Sequence, residues 1–189
     1  TLRDGGYYNN WDFDRKLVNS YFKLISKTKV NIVELGFRFF KSKGFLGPFA
    51  FSNENFIKQL KIPNKLNIAI MLNAADIVDL SKQKLKKCFL NSRKSKINII
   101  RIACHFNELT KIRKSIQVLK SLNYEVYINL MKISDKNSSQ IIYASQLASK
   151  YKANAFYFAD SFGNLKTRNI KNIINLIRKH FHGLVGIHA

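Results

Sequence analysis

Six short apolar runs, separated by longer amphipathic stretches, constrain this chain more than any other feature. The runs cover residues 31–35, 66–72, 97–103, 125–131, 155–159 and 184–188. They are rich in Ile, Val and Tyr and lack clean polar–apolar alternation, as strands buried on both faces should. Consecutive runs lie roughly 30 residues apart, the length of a βα unit with its return loop. The stretches between them carry the helical period. Residues 111–122 place Ile112, Ile116 and Leu119 on one face; 134–151 place Ile141, Ala144 and Ala148; 170–181 place Ile170, Ile173, Ile174 and Ile177. A first helix is expected over 14–27, with Leu17, Val18, Tyr21, Leu24 and Ile25 inward and Asp12 as its N-cap.

With Thr1-Leu2 read as the end of an earlier strand, about seven βα-type strands follow one another without a strand-only block. That order argues for an α/β fold with a parallel sheet. A (β/α)8 TIM barrel normally takes about 250 residues, and this chain has 189. The expectation is a single truncated TIM-barrel domain over residues 1–189, without the eighth strand and the last helices. Thr1 opens inside one motif and Ala189 closes inside another, so the chain reads as a fragment of a longer protein. The rival, an open doubly wound sheet, lacks its phosphate-binding Gly-x-Gly-x-x-Gly turn.

Composition narrows the function classes. An apolar share of 46% supports a packed core, and no apolar run approaches a membrane span. The formal net charge is +22, from 33 Lys+Arg against 11 Asp+Glu. Such a field attracts nucleic acid, anionic lipid or anionic substrates. The basic residues are spread over nearly every expected helix, which favours solvated helix faces, and nucleic acid is not expected as a partner. Cys88 and Cys104 are too few for a disulfide framework and read as buried thiols of a cytoplasmic protein. The alternative for Cys104, beside His105, is a nucleophile.

In a parallel barrel the chemistry sits at the carboxyl ends of the strands. Polar residues there are Arg3, Asp4, Glu34, Asn73, His105, Asn129, Lys132, Asp160, Ser161 and His188. A carboxylate and a histidine brought together from distant strands, Asp4 and His188, are ligands for a hard cation. An adjacent arginine, Arg3, can hold an anionic substrate on it. Arg38 and His105 are further candidates for substrate binding. The bland readings stay open: a turn at Asp4-Gly5-Gly6, a buried ion pair of Glu34 with Arg38 or Arg101, a helix cap at Asp160, and Arg38 stacked on its aromatic neighbours. The aromatic loop from Tyr7 to Phe13 either lines the site or staples the first helix. His180 and His182 precede the last strand, so they belong to the opposite rim from His188. Lys132, a potential Schiff-base lysine, carries little weight in a chain this rich in lysine.

The run Thr1-Leu2-Arg3-Asp4-Gly5-Gly6 resembles the signature of the DRE-TIM metallolyases. Further matches follow in order: Val33-Glu34-Leu35-Gly36, Arg101 to His105, Ala159-Asp160-Ser161-Phe162-Gly163 and Gly186-Ile187-His188-Ala189. The superfamily includes HMG-CoA lyase, the isopropylmalate and homocitrate synthases and 4-hydroxy-2-oxovalerate aldolase, and this chain most resembles proteins similar to that aldolase. The resemblance implies a divalent metal, Mn²⁺ first and Mg²⁺, Co²⁺ or Zn²⁺ also allowed, on Asp4 and on His188. His188 would be the first residue of a His-x-His pair whose second member falls past Ala189. It implies that Arg3 stabilises a metal-held enolate of a 2-oxo acid, with Glu34 and Asp160 near the metal as catalytic acids. The implied reaction cleaves a 4-hydroxy-2-oxo acid to pyruvate and an aldehyde; the fragment by itself would be inactive. Tyr7 stands where the aldolase has a catalytic histidine and the lyases usually have glutamine, so the proton-transfer apparatus departs from the pattern. The alternatives are a Claisen-type synthase using an acyl-CoA, a basic nucleic-acid-binding domain and a catalytically degenerate barrel. A homo-oligomer or a partner dehydrogenase is left open for the full-length protein.

Overall fold

Six parallel strands follow one another around the sheet in chain order, in a computed structural model that describes residues 1–42 and 44–189. They are β1 (Ile32–Phe37), β2 (Asn67–Asn73), β3 (Ile99–Cys104), β4 (Glu125–Leu130), β5 (Ala155–Ala159) and β6 (Leu184–His188). Each strand pairs with the next, and the sheet curls into part of a barrel with helices outside. Among the described residues the helices are α1 (Leu2–Asn9), α2 (Arg15–Ile25), α3 (Pro48–Phe51), α4 (Glu54–Lys58), α5 (Ala74–Ile77), α6 (Lys82–Lys87), α7 (Arg113–Ser121), α8 (Ser138–Lys150) and α9 (Thr167–Arg178). None is long and apolar enough to cross a membrane.

Successive residues of a strand point to opposite faces. The outward set, including Ile68, Ile70, Leu72, Ile100, Ile102, Val126, Ile128, Phe156 and Phe158, is buried against the helices. The inward set carries the polar groups. Ala69, Ile99, Tyr127 and Ala155 close the lower part of the inner face with Ile32 and Tyr157 beside them. Above them β2, β3 and β4 present Asn73, Ala103 and Asn129 in register, and Asn129 lies opposite Tyr157 of β5. This double burial is why the runs show no alternation in the sequence. In β1 the register shifts between Glu34 and Phe37. The extra residue lets Glu34 face inward and, three positions on, Phe37 as well.

The opening segment departs from expectation. Leu2–Asn9 is helical, not the end of a strand, so the sheet has six strands where about seven were expected. The Thr1 side chain caps the helix by accepting from the Asp4 amide. α1 packs against β1, burying Leu2 and Arg3. Gly6 is needed here because a Cβ would lie 2.0 Å from the Trp11 ring. That indole, itself buried, donates to the Arg3 carbonyl and fixes the turn after the helix.

Smaller differences have equally local causes. Asp14, not Asp12, caps α2, accepting from the amides of Lys16 and Leu17. The inward face of α2 is Val18 and Phe22, while Leu17 and Leu24 are exposed. Val18 and Phe22, four residues apart, share one face of the helix, and Leu17 and Leu24 fall off that face. Cys88 is exposed and Cys104 is buried, so only one thiol is a core residue.

Candidate active site

The carboxyl ends of the strands surround a cavity of about 330 Å³, and α1 forms its flank. Arg3, Asp4, Tyr7, Asp160 and His188 line it, together with Asn73, Asn129 and the apolar side chains of Phe37, Met71 and Met131. Five of the eight residues proposed for the site from the sequence thus meet in one place. Glu34 lies directly behind them.

Arg3 organises the cluster. It is only 5% exposed, and its Nε donates to Glu34 Oε2 at 2.9 Å. Its NH1 meets Asp4 Oδ1 at 2.8 Å. Its NH2 lies 3.5 Å from His188 Nδ1 and 3.4 Å from Nε2. Such similar distances put the guanidinium against the imidazole ring, out of line with either nitrogen lone pair. Glu34 Oε2 also takes a bond from Arg101 NH1 at 3.3 Å, and Arg101 NH2 donates to Asn129 Oδ1 at 2.8 Å. One buried carboxylate therefore holds two arginines. The expected partners of Glu34 were Arg38 or Arg101; the structure supplies Arg101 and adds Arg3.

Electrostatics set the charge states of the two candidate ligands. Burial alone would raise the Asp4 carboxyl, but the Thr1 hydroxyl bond and the charges of Arg3 and His188 outweigh it and hold it below the ordinary aspartate range. Burial lowers His188, and the charges of Arg3 and Arg101 lower it further against the opposing pull of Asp4 and Glu34. The pair is thus an anionic carboxylate and a neutral imidazole, the protonation states a metal ligand needs.

The geometry is compatible with a cation. Asp4 Oδ1 and His188 Nε2 are 3.8 Å apart. Two donors each about 2.1 Å from one ion lie at most about 4.2 Å apart, so both can reach it. Among the described residues no three His, Cys, Asp or Glu side chains converge on a point that could hold a metal ion. The buried Glu34 Oε1 has no hydrogen-bond partner, and neither has the Arg101 Nε.

Three expectations do not hold in place. Arg38 does not line the cavity: it is buried elsewhere, donating to the Ser52 and Cys88 carbonyls and to Glu54, with Phe89 beneath it at 4.6 Å. It serves as a cross-tie between segments. His105 also stays out of the cavity; it is exposed at the start of the turn Phe106–Glu108, its backbone amide bonded to Glu108. Asp160 lines the cavity but does not cap α9: its carboxylate accepts from the amides of Asn164 and Leu165 and shapes the loop after β5. Cys104 is sealed in the core and its thiol is pushed up by burial, which removes it as a nucleophile. The Lys132 ammonium lies over the Phe162 ring, outside the cavity lining. Tyr7 and Trp11 divide the two roles considered for the aromatic loop. Tyr7 sits at the cavity edge, while Trp11 is packed edge-on against Tyr7, Phe37 and Phe39 as the staple.

No protein-family model and no curated protein matches the chain. Among solved structures, the N-terminal domain of a "putative aldolase" from Bacteroides vulgatus matches with a TM-score of 0.88 and 30% identity, over 100% of this chain and 62% of that one. The HMG-CoA lyase of Bacillus subtilis matches with a TM-score of 0.71 at 10% identity, over 93% of this chain and 61% of that one. The HMG-CoA lyase of Brucella melitensis matches with a TM-score of 0.67 at 8% identity, over 93% and 65%. The chain thus spans about two thirds or less of the length of each. The chain has a DRE-TIM-like fold, in common with this aldolase domain and the HMG-CoA lyases.

Proposed function

We propose that this chain carries the catalytic site of a divalent-metal-dependent carbon–carbon lyase or aldolase that acts on a 2-oxo acid, releasing pyruvate and an aldehyde from a 4-hydroxy-2-oxo acid. The observation that carries the reading is the meeting of Arg3, Asp4 and His188, from opposite ends of the chain, on one cavity. Asp4 and His188 would hold the cation, with Mn²⁺ or Mg²⁺ suited to a carboxylate, imidazole and water set. When bound, the cation supplies Lewis-acid polarisation of the 2-oxo carbonyl.

The side chains supply the rest. Arg3 is held rigid by Glu34 and places its guanidinium where negative charge develops on the substrate oxygen as the carbon–carbon bond breaks. Because Glu34 fixes the guanidinium beforehand, no reorganisation is needed at that moment. Phe37, Met71 and Met131 form apolar wall that excludes water and strengthens those interactions. Tyr7, at the cavity edge, would carry the proton that the 4-hydroxyl loses.

Incubation with pyruvate and Mn²⁺ in D₂O, followed by the pyruvate methyl signal in proton NMR, tests the proposal. Metal-dependent loss of that signal, abolished in both Arg3→Ala and Asp4→Ala, is expected. Exchange no faster than in buffer, in protein shown to be folded and metal-bound, would overturn it in favour of a barrel that has lost this chemistry.

A further inference from the structure

Asn129 is a cavity side chain whose orientation is imposed from behind, by Arg101. It is 3% exposed, lies on β4 between Ala103 of β3 and Tyr157 of β5, and lines the cavity. An arginine can only donate, so the Arg101 NH2 contact at 2.8 Å requires the Asn129 oxygen to face Arg101. The amide cannot turn over without opposing two donors. Its NH₂ group is therefore directed away from Arg101 and has no protein hydrogen-bond partner among the described residues. Because Asn129 lines the cavity, that donor is open to an acceptor on a ligand.

Arg101 is itself fixed. It bonds to Glu34 at 3.3 Å and lies over the Tyr157 ring at 4.5 Å. Tyr157 in turn stacks on Tyr127, and it packs across Gly186, where a Cβ would fall 2.3 Å from the ring. Glu34 is also the anchor of Arg3. One carboxylate thus sets both the guanidinium on one side of the cavity and, through Arg101, the amide donor on the other. The small Ala103, in register beside Asn129, leaves room over that donor.

We propose that Asn129 is a specificity-determining residue whose amide donates to an oxygen of the bound 2-oxo acid, and that Arg101 is the positioning residue that sets its orientation. This rests on the 2-oxo acid reading above. It makes the site select a planar, oxygen-rich ligand that accepts from Arg3 and Asn129 together. A ligand with an alkyl group at the Asn129 end would leave the donor unmatched and be rejected.

Oxalate, a planar mimic of a 2-oxo acid, is the probe, titrated with Mg²⁺ into ¹⁵N-labelled protein. The Asn129 Nδ2–H₂ pair is assigned by its disappearance in Asn129→Asp. The pair should shift saturably, in step with the backbone amides of Ala103 and Ala159. Asn129→Asp, which still accepts from Arg101 but has no donor, should bind about tenfold more weakly or worse, the worth of one hydrogen bond to a charged group. Arg101→Met should weaken oxalate and broaden the amide pair as its orientation is released. An unmoved pair at saturation, unaltered affinity in Asn129→Asp, or no saturable oxalate binding overturns the proposal. The deuterium exchange of pyruvate separates the two readings. Exchange with an unmoved Asn129 pair removes this inference alone; a shifted pair without exchange supports the inference and removes the lyase chemistry.

Discussion

Two buried arginines in this chain look alike by exposure and differ in what they bond. Arg3 is 5% and Arg38 6% exposed, and each meets a glutamate. Arg38 spends its donors on the carbonyls of Ser52 and Cys88 and on Glu54, joining segments that lie far apart in the chain. Arg3 bonds only side chains, and its free face borders a cavity shared with Asp4 and His188. NH1 and NH2 of Arg38 are tied to fixed backbone acceptors, and only its buried Nε has no partner. Arg3, held by the carboxylates of Glu34 and Asp4, keeps its cavity-facing edge toward a ligand. The difference separates a tie in the fold from a group poised to bind, although both sat near strand ends in the sequence.

The sharpest way to break that comparison is to remove the anion from each cluster. Glu34→Ala leaves Arg3 and Arg101 buried together without their shared carboxylate. We expect a loss of about 3–5 kcal/mol in urea denaturation, the usual result of stranding a buried charge, and no oxalate binding in the folded fraction. Glu54→Ala leaves Arg38 its two carbonyls and the Phe89 ring. A smaller loss, about 1–3 kcal/mol, is expected, with oxalate affinity unchanged. Equal effects of both substitutions on oxalate binding would show that the two arginines do not differ as described.

How much of this was legible follows the same division. Strands buried on both faces announce themselves, and the runs at 155–159 and 184–188 match β5 and β6 residue for residue. Tertiary contacts are what the chain hid. Nothing local in Leu2-Arg3-Asp4-Gly5-Gly6, with two glycines, favours a helix; its burial on β1 and the Trp11 ring seated over Gly6 do. Asp4 and His188 could be picked out because a carboxylate and an imidazole at strand ends carry chemistry of their own. Asn129 could be placed at the rim but given no role, since an asparagine's polarity depends on what stands behind it. Arg38 and His105 were misplaced for the converse reason: a charged side chain near a strand end can turn away from the rim, and sequence spacing does not record which way it turns.

Both arginine clusters also rest on an aromatic ring, which allows a subtler test. Arg101 lies 4.5 Å above Tyr157, and Arg38 lies 4.6 Å above Phe89. Gly186→Ala forces a methyl group into the Tyr157 ring and should cost about 1–3 kcal/mol by overpacking. Because Tyr157 supports Arg101 and Arg101 orients Asn129, oxalate affinity should fall with it. Phe89→Leu removes the ring under Arg38 and should cost a comparable amount with no change in affinity. Calorimetry on both variants reads stability and binding together. A Gly186→Ala protein that binds oxalate like the parent would detach the ring from the site.

The smallest expected effect is a pH dependence confined to one cluster. His188 has its pKa lowered below the ordinary 6.5, first by burial and then by Arg3 and Arg101. The unfolded chain takes up a proton at this histidine before the folded one does, so stability falls as pH drops below about 6.5 and levels off beneath the folded pKa. Asp4 adds the same sign at lower pH: its carboxyl is held below 3.8, so its contribution is present above that value and is lost as pH falls through the folded pKa. Urea midpoints measured from pH 7.5 to 5 should therefore decline, less steeply in His188→Gln and as steeply in Glu54→Ala as in the parent. A slope that survives His188→Gln intact would mean that the imidazole is not held neutral between the two guanidinium groups, and the ligand pair with Asp4 would lose its electrostatic basis.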